Sequence, residues 1–131
     1  MEALFFLAGG VVCAVRMEQV ARIHARAEAR VTGNSVVFGD DPPLRQIDLP
    51  RLLAPGPRRL LPGAGFLRLE PLPGRALKVE RLLTRTAVAP TRIHLLPPHV
   101  FQPEQRWFSH LVDQGEFCAF LIDAERLRER A

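Results

Sequence analysis

The stretch FCAFLIDAERL, from Phe117 to Leu127, decides the fold because it has a counterpart much earlier in the chain. The counterpart is LRQIDLPRL, from Leu44 to Leu52, and the two share the pattern Ile-Asp-x-x-Arg-Leu. The pattern begins at Ile47 in the first copy and at Ile122 in the second. A pattern repeated in this way predicts two related halves, each a run of strands closed by a short helix.

A second pair of related segments lies upstream of the first pair. Residues 14–20 (AVRMEQV) match residues 76–82 (ALKVERL) in residue type at every position. The two motifs follow one another in the same order in both copies, as an internal duplication requires. We therefore predict a first half over residues 1–54, a connector rich in proline and glycine over residues 55–65, and a second half over residues 66–131.

The length of the chain argues that these halves form a single domain. A half of about 65 residues buries too little apolar surface to be comfortably stable alone, so two such halves are expected to share a core. The sequence of 131 residues is 47% hydrophobic and 24% charged, which is the composition of a globular protein.

The positive charge of the chain comes almost entirely from arginine. The net charge is +4, and Lys78 is the only lysine among 18 basic residues. Arginine can signal recognition of phosphate or carboxylate, but a codon bias gives the same composition. The arginines are spread along the chain, whereas a nucleic-acid binder more usually concentrates them in a stripe. A small arginine-rich barrel that binds nucleic acid remains an alternative, although nucleic acid is not the expected partner.

Cysteine usage and hydropathy predict a cytoplasmic protein. Cys13 and Cys118 are too few for a disulfide framework, and each sits in an apolar run that favours a buried, reduced thiol. The apolar start has Glu2 where a secretory signal carries basic residues. No segment reaches the roughly 18 uninterrupted apolar residues of a membrane span, so we expect no membrane insertion.

The remaining pattern predicts mostly strands. Short apolar runs around glycine, proline and aspartate turns predict hairpins over residues 3–16, 66–79 and 106–122, and strands over residues 35–38 and 44–47. Residues 20–25 read as a strand, although the alanines of residues 22–30 also suit a helix. Residues 80–83 are predicted to form a helical turn before a strand over residues 84–89.

Asp48 and Asp123 are expected to cap the two short helices. Each aspartate ends a strand and opens a helical segment, where its carboxylate can accept hydrogen bonds from the first free N–H groups. Local spacing places no second carboxylate or histidine beside either one, as general acid–base catalysis would need. A small enzyme that uses Asp123 with a distant histidine is a further, less favoured hypothesis.

Motifs of catalysis, metal binding and cofactor binding are absent from the sequence. The histidines do not fall in HxH or HExxH spacing, and neither serine stands in GxSxG. The segment Gly63–Gly65 lacks the strand and helix that flank a dinucleotide-binding loop. We therefore predict no catalytic, cofactor or metal site, and a protein that is not an enzyme.

What remains is surface for protein partners. Branched and aromatic residues beside turns fill cores more often than interfaces, but they anchor interfaces where they are exposed. Phe38, next to a glycine and two aspartates, is the one expected to lie outside. The predicted partner-binding residues are Val36, Phe38, Gly39, Asp40, Trp107 and Phe108.

The order and spacing of these motifs resemble the CheW-like coupling domain of bacterial chemosensory systems. The similar segments are FFLAGGVVCAVRMEQV (residues 5–20), VVFGDDPPLRQIDLPRLL (residues 36–53), RALKVERLL (residues 75–83) and CAFLIDAERL (residues 118–127). The resemblance implies a mainly β fold in which two pseudo-symmetric five-stranded barrels share one core, each closed by a short helix.

The function implied by the resemblance is noncatalytic. Proteins of that family bridge chemoreceptors to a histidine kinase, whose regulatory domain has the same fold and pairs with the adaptor. One position departs from the family pattern, since the turn that usually reads Arg-Gly reads Phe38-Gly39 here. A phenylalanine loses the charge-assisted hydrogen bonds of an arginine at a receptor contact and offers a hydrophobic anchor in their place.

Overall fold

We describe residues 1–53, 64–97 and 107–130 of the chain from a computed structural model. The strands are β1 (Glu2–Ala8), β2 (Val11–Arg16), β3 (Val20–Ala25), β4 (Ala29–Thr32), β5 (Ser35–Phe38), β6 (Leu44–Asp48), β7 (Gly65–Leu69), β8 (Arg75–Val79), β9 (Arg81–Ala87), β10 (Ile93–Leu95), β11 (Phe108–Asp113) and β12 (Cys118–Ile122). The helices are α1 (Leu49–Leu53) and α2 (Ala124–Arg130), and short 3-10 turns occupy Met17–Gln19, Arg26–Glu28 and Pro90–Arg92.

The strands form two sheets with the same internal order. Sheet one runs β10-β11-β12-β2-β1-β9, and sheet two runs β4-β5-β6-β8-β7-β3. The two orders match strand for strand, so that β1 corresponds to β7, β3 to β9 and β6 to β12. The fold is therefore mainly β and pseudo-symmetric, as predicted.

The two sequence halves exchange their first hairpins. The hairpin β1–β2 joins sheet one, whose other strands all come from the second half of the chain. The hairpin β7–β8 joins sheet two, whose other strands come from the first half. Each sheet has six strands, one more than the five expected for each barrel, and neither sheet can be assembled from one half of the sequence.

The repeated motifs meet in two parallel ladders with the same register. Ala14 of β2 lies opposite Leu121 of β12. Ala76 of β8 lies opposite Gln46 of β6. Each alanine occupies the same position of its motif, and each partner directly precedes the isoleucine of the Ile-Asp pattern. The similarity of the motifs thus reflects equivalent positions in the fold.

Three apolar clusters fill the molecule. The central cluster lies between the sheets and takes residues from both, including Ile47, which is 5% exposed, and Ile122, which is 2% exposed. Each sheet also encloses a cluster of its own on its opposite face. Sheet one encloses Ala3, Phe5, Ala14, Val88, Val112, Ala119 and Leu121. Sheet two encloses Val36, Phe38, Leu44, Phe66 and Ala76.

Both short helices begin with an aspartate that accepts backbone hydrogen bonds. Asp48 Oδ1 accepts from the N–H of Arg51 at 3.2 Å. Asp123 Oδ1 accepts from the N–H groups of Glu125 at 3.1 Å and Arg126 at 3.3 Å. These bonds satisfy N–H groups that have no partner inside the helix, which is the role of an N-cap.

Three local predictions differ from the structure. Residues 80–83 do not form a helical turn, because β9 begins at Arg81 and pairs with β1 as an edge strand. Residues 22–30 are not a helix but the end of β3, a 3-10 turn and the start of β4. Leu52 was expected to face inward with its counterpart Leu127, yet Leu52 is 47% exposed and Leu127 is fully buried. The prolines and glycines predicted for the connector fall mostly on residues 54–63, outside the described residues.

The two cysteines lie in different environments. Cys13 is fully buried in the central cluster, and burial, followed by the charge of Glu80, raises the pKa of its thiol. Cys118 begins β12 beside a turn and is exposed, so the prediction of a buried thiol is wrong there. Over the described ranges, no helix is both long enough and apolar enough to cross a membrane.

Candidate interaction surface

Phe38 lies inside the protein. It is 4% exposed, and its ring stacks on the ring of His24 and meets the edge of Phe66. Successive residues of a strand point to opposite faces, so Phe38 shares the inner face of β5 with buried Val36. The prediction that Phe38 lies outside is therefore wrong, and its ring supports the turn that follows from within.

The other apolar residues predicted to bind a partner are also buried. Val36 is fully buried, Trp107 is 2% exposed and Phe108 is 3% exposed. The Trp107 and Phe108 rings pack together with centroids 4.5 Å apart, and both belong to the central cluster. Of the six predicted partner-binding residues, Gly39 and Asp40 are exposed.

Gly39 shapes the turn between β5 and β6. Its φ of 56° lies in the left-handed region, which a glycine adopts without steric cost. The N–H of Asp41 donates to the carbonyl oxygen of Phe38 at 3.1 Å and closes the turn. A Cβ added at Gly39 would meet no heavy atom within 4 Å, so backbone conformation and not crowding favours glycine here.

Two arginines from other strands hold this turn. Arg30 of β4 donates from Nη2 to the carbonyl oxygen of Gly39 at 3.1 Å. Arg68 of β7 lies with Nη1 3.5 Å from Asp41 Oδ2. We call Arg30, Gly39, Asp40, Asp41 and Arg68 the turn surface. The two arginines were missed from the sequence because only the strand order of sheet two brings them to the turn.

His24 and Glu28 fix the backbone behind the turn surface. His24 Nδ1 lies 3.3 Å from Glu28 Oε2, and the N–H of Ala25 donates to Glu28 Oε1 at 3.2 Å. The bond from Ala25, followed by the bond with His24, lowers the pKa of Glu28. These contacts hold the 3-10 turn between β3 and β4, and His24 in turn carries the Phe38 ring.

Each of the four outermost strands carries one exposed, large apolar side chain. Ile23 on β3 is 44% exposed and Val31 on β4 is 50% exposed. Leu83 on β9 is 44% exposed and Leu95 on β10 is 76% exposed. An outermost strand also presents backbone N–H and C=O groups that can pair with another chain. The four edges are therefore the places where a partner could add both hydrogen bonds and apolar contact.

Titratable side chains do not gather into a catalytic or metal-binding group in the described ranges. No three histidine, cysteine, aspartate or glutamate side chains there lie close enough to hold a metal ion. Asp123 caps α2 through Oδ1, and its Oδ2 lies 3.3 Å from the Arg126 guanidinium. Burial, and then the charges of Arg16 and Arg126, lower the pKa of nearby His110. Both oxygens of Asp123 are thus engaged in holding the helix.

Comparison with known proteins gives a match in structure but none in sequence. No protein-family model and no curated protein matches the sequence. The structure is similar to that of the scaffolding protein TtCheW from Thermoanaerobacter tengcongensis, with a TM-score of 0.72 and 13% sequence identity. The similarity covers 92% of this chain and 87% of TtCheW. The chain has a CheW-like fold.

The CheW-like fold accounts for the order in which the repeated motifs follow one another. It also gives the Phe38 departure a structural meaning. The position at which the resemblance leads us to expect an exposed arginine holds an interior ring, and Arg30 places a guanidinium against the same turn from β4. The turn surface therefore retains a cation, supplied by a different strand.

Proposed function

We propose that the protein is a noncatalytic cytoplasmic adaptor of a bacterial signalling or motility pathway. Its partners would be the regulatory domain of a histidine kinase, a chemoreceptor-like protein, or both. The observation that carries the proposal is the CheW-like fold, shared with a scaffolding protein over 92% of the chain. The role comes from that likeness, and the surfaces described above suggest how binding would occur.

The strand edges are the proposed binding sites. A partner strand laid along β3 or β9 would take up unpaired backbone groups and cover Ile23 or Leu83. These two strands are equivalent in the duplicated fold, and they belong to different sheets. One molecule could therefore hold two partners at once, and its mechanism would be stoichiometric bridging without covalent change.

The turn surface would add specificity. Arg30, Asp40, Asp41 and Arg68 present both signs of charge within a few ångströms of a rigid turn. Paired charges at the rim of an interface discriminate between partners more than they add affinity. We expect a partner to place complementary charges against this end of sheet two.

Binding to a kinase regulatory domain encoded beside this protein tests the proposal. A mixture at tens of micromolar, roughly the weak end for signalling interfaces, should elute from a sizing column ahead of either component. Leu83→Asp and Ile23→Asp should each weaken the complex with the partner that uses that edge. Leu52→Asp is the matched control, because Leu52 is 47% exposed but lies on α1, away from the four edges. Coelution that none of the edge variants alters would rule out the proposed binding sites.

The nucleic-acid alternative has less support from the structure. Arg126 and Arg128 form the arginine cluster near the end of the chain, and each pairs with an acidic side chain three residues earlier. Arg128 Nη2 lies 2.7 Å from Glu125 Oε2. Arginines neutralised within their own helix contribute less to the attraction of a phosphate backbone.

A further inference from the structure

A cleft opens at the end of sheet two that lies opposite the turn surface. The strand β5 connects the two ends, with the turn surface after Phe38 and the cleft beside the preceding turn at Gly33 and Asn34. The cleft has a volume of about 340 Å³, near the lower end of the range for small-molecule sites. Its polar lining side chains are Arg26, Asn34, Gln46, Asp48, Arg51 and Lys78.

The charges that line the cleft are mainly positive. Arg26, Arg51 and Lys78 provide three cations, and Asp48 provides the one carboxylate in the lining. Lys78 Nζ lies 3.7 Å from Asp48 Oδ2, so this cation is partly neutralised. The guanidinium groups of Arg26 and Arg51 show no hydrogen bond or ion pair to any described residue. Guanidinium groups available in this way suit a phosphate or carboxylate group.

Gln46 adds a second, independent feature. Its side-chain oxygen is buried and accepts no hydrogen bond within the described part of the chain. A buried acceptor without a donor costs free energy, and such a group is expected to have a use.

The internal duplication shows that the fold does not require a polar residue at this position. The equivalent of Gln46 in the other sheet is Leu121, which faces the equivalent alanine and is 1% exposed. Lys78 likewise corresponds to Arg16, and Asp48 to Asp123. The ion-pairing residue types are thus common to both halves, whereas the buried amide distinguishes this cleft.

We propose that the cleft binds a small molecule that carries a phosphate group. Arg26 and Arg51 would contact the phosphate, since the lining leaves two positive charges for the two negative charges of a phosphate monoester. The Gln46 oxygen would accept a hydrogen bond from an O–H or N–H group beside the phosphate. The site is separate from the strand edges proposed for protein partners.

Calorimetric titration of the full chain with two probes tests this assignment. Inorganic phosphate supplies the charge alone, and glycerol phosphate adds hydroxyl donors. Glycerol phosphate should bind more tightly than inorganic phosphate. The double variant Arg26→Gln/Arg51→Gln should weaken both probes by about tenfold or more. Gln46→Leu, which introduces the residue found at the equivalent position, should remove the preference for glycerol phosphate and leave inorganic phosphate within about twofold.

The matched control is Arg45→Gln, which removes an exposed arginine of β6 that does not line the cleft. This variant should leave both affinities within about twofold. Absence of saturable binding up to ~10 mM of either probe would refute the site, as would binding that the double variant does not alter. Tighter binding of an oligonucleotide, lost in the same double variant, would replace the small-molecule site by a nucleic-acid contact.

Discussion

The ring of Phe38 lies flat against the ring of His24, with centroids 3.8 Å apart and an interplanar angle of 8°. This contact joins the last residue of β5 to the edge strand β3, beneath the turn surface. It explains how a residue at a turn can be interior, because the strand alternation points Phe38 inward and His24 covers it.

Restoring an arginine at this position should destabilise the protein. Phe38→Arg would either bury a guanidinium among apolar side chains or turn it outward and leave a cavity. Either outcome should lower the free energy of unfolding by about 3–5 kcal/mol. Urea denaturation measures the change. Phe38→Leu keeps an apolar side chain in the same interior and is the control, with an expected loss below that of the arginine variant. Equal stability of Phe38→Arg and the parent would show that the ring has no packing role.

The two leucines of the repeated motif should differ in their contribution to stability. Leu127→Ala removes a fully buried side chain from the central cluster and should cost about 2–5 kcal/mol. Leu52→Ala removes a side chain that is 47% exposed and should cost less than about 1 kcal/mol. Thermal and urea unfolding of both variants give the comparison. Similar losses would contradict the different burial of the two helices.

Asp123 should stabilise α2 through its hydrogen bonds and not through its charge alone. Asp123→Ala leaves two N–H groups without their acceptor and should cost about 1 kcal/mol. Asp123→Asn keeps a side-chain oxygen at the cap and should cost only a few tenths of a kcal/mol, roughly, by the usual ranking of cap residues. Urea midpoints of the two variants distinguish these values. A loss as large in the asparagine variant would point instead to the ion pair with Arg126.

Stability should fall as pH drops through the range of His110. Burial and the charges of Arg16 and Arg126 lower the pKa of His110 below 6.5, while Asp123 acts in the opposite direction. The unfolded chain, with the higher pKa, takes up the proton first as the pH falls. The stability contributed by neutral His110 is therefore present above pH 6.5 and is lost as the pH falls from 6.5 towards the lower pKa of the folded state.

Unfolding free energies at about pH 7.5 and about pH 5.5 measure this effect. His110→Gln should lose less stability between the two pH values than the parent does. His94→Gln, at an exposed histidine of β10, controls for the removal of an imidazole. An unchanged slope in His110→Gln would contradict the assignment.

The duplication and most of the strands could be predicted from the sequence. The Ile-Asp-x-x-Arg-Leu pattern survives because Ile47 and Ile122 fill the same place in the central cluster, and each aspartate opens a helix. These are local or strictly equivalent constraints, so they leave a readable pattern. The helical turn expected at residues 80–83 failed because pairing with β1 overrides local preference.

The candidate surface was much less predictable. Local spacing does not reveal that Arg68 reaches a turn 27 residues away, since that contact depends on the order of strands in sheet two. Phe38 was misplaced because its neighbours in sequence are polar, whereas its neighbours in space are His24 and Phe66. Side-chain direction along β5 was readable from the alternation, but it had no reference until the buried face was known.

The exchanged hairpins have a consequence for how the protein is made. The hairpin β1–β2 leaves the ribosome first, yet its neighbours in sheet one are β9 and β12, the latter spanning Cys118–Ile122. Contacts between residues so far apart in sequence form slowly, because a long loop must close first. The nascent chain therefore carries an incomplete sheet one until its last strand has been translated. For the same reason, two fragments cut between the halves would each lack part of both sheets, and would recover the fold only when produced together.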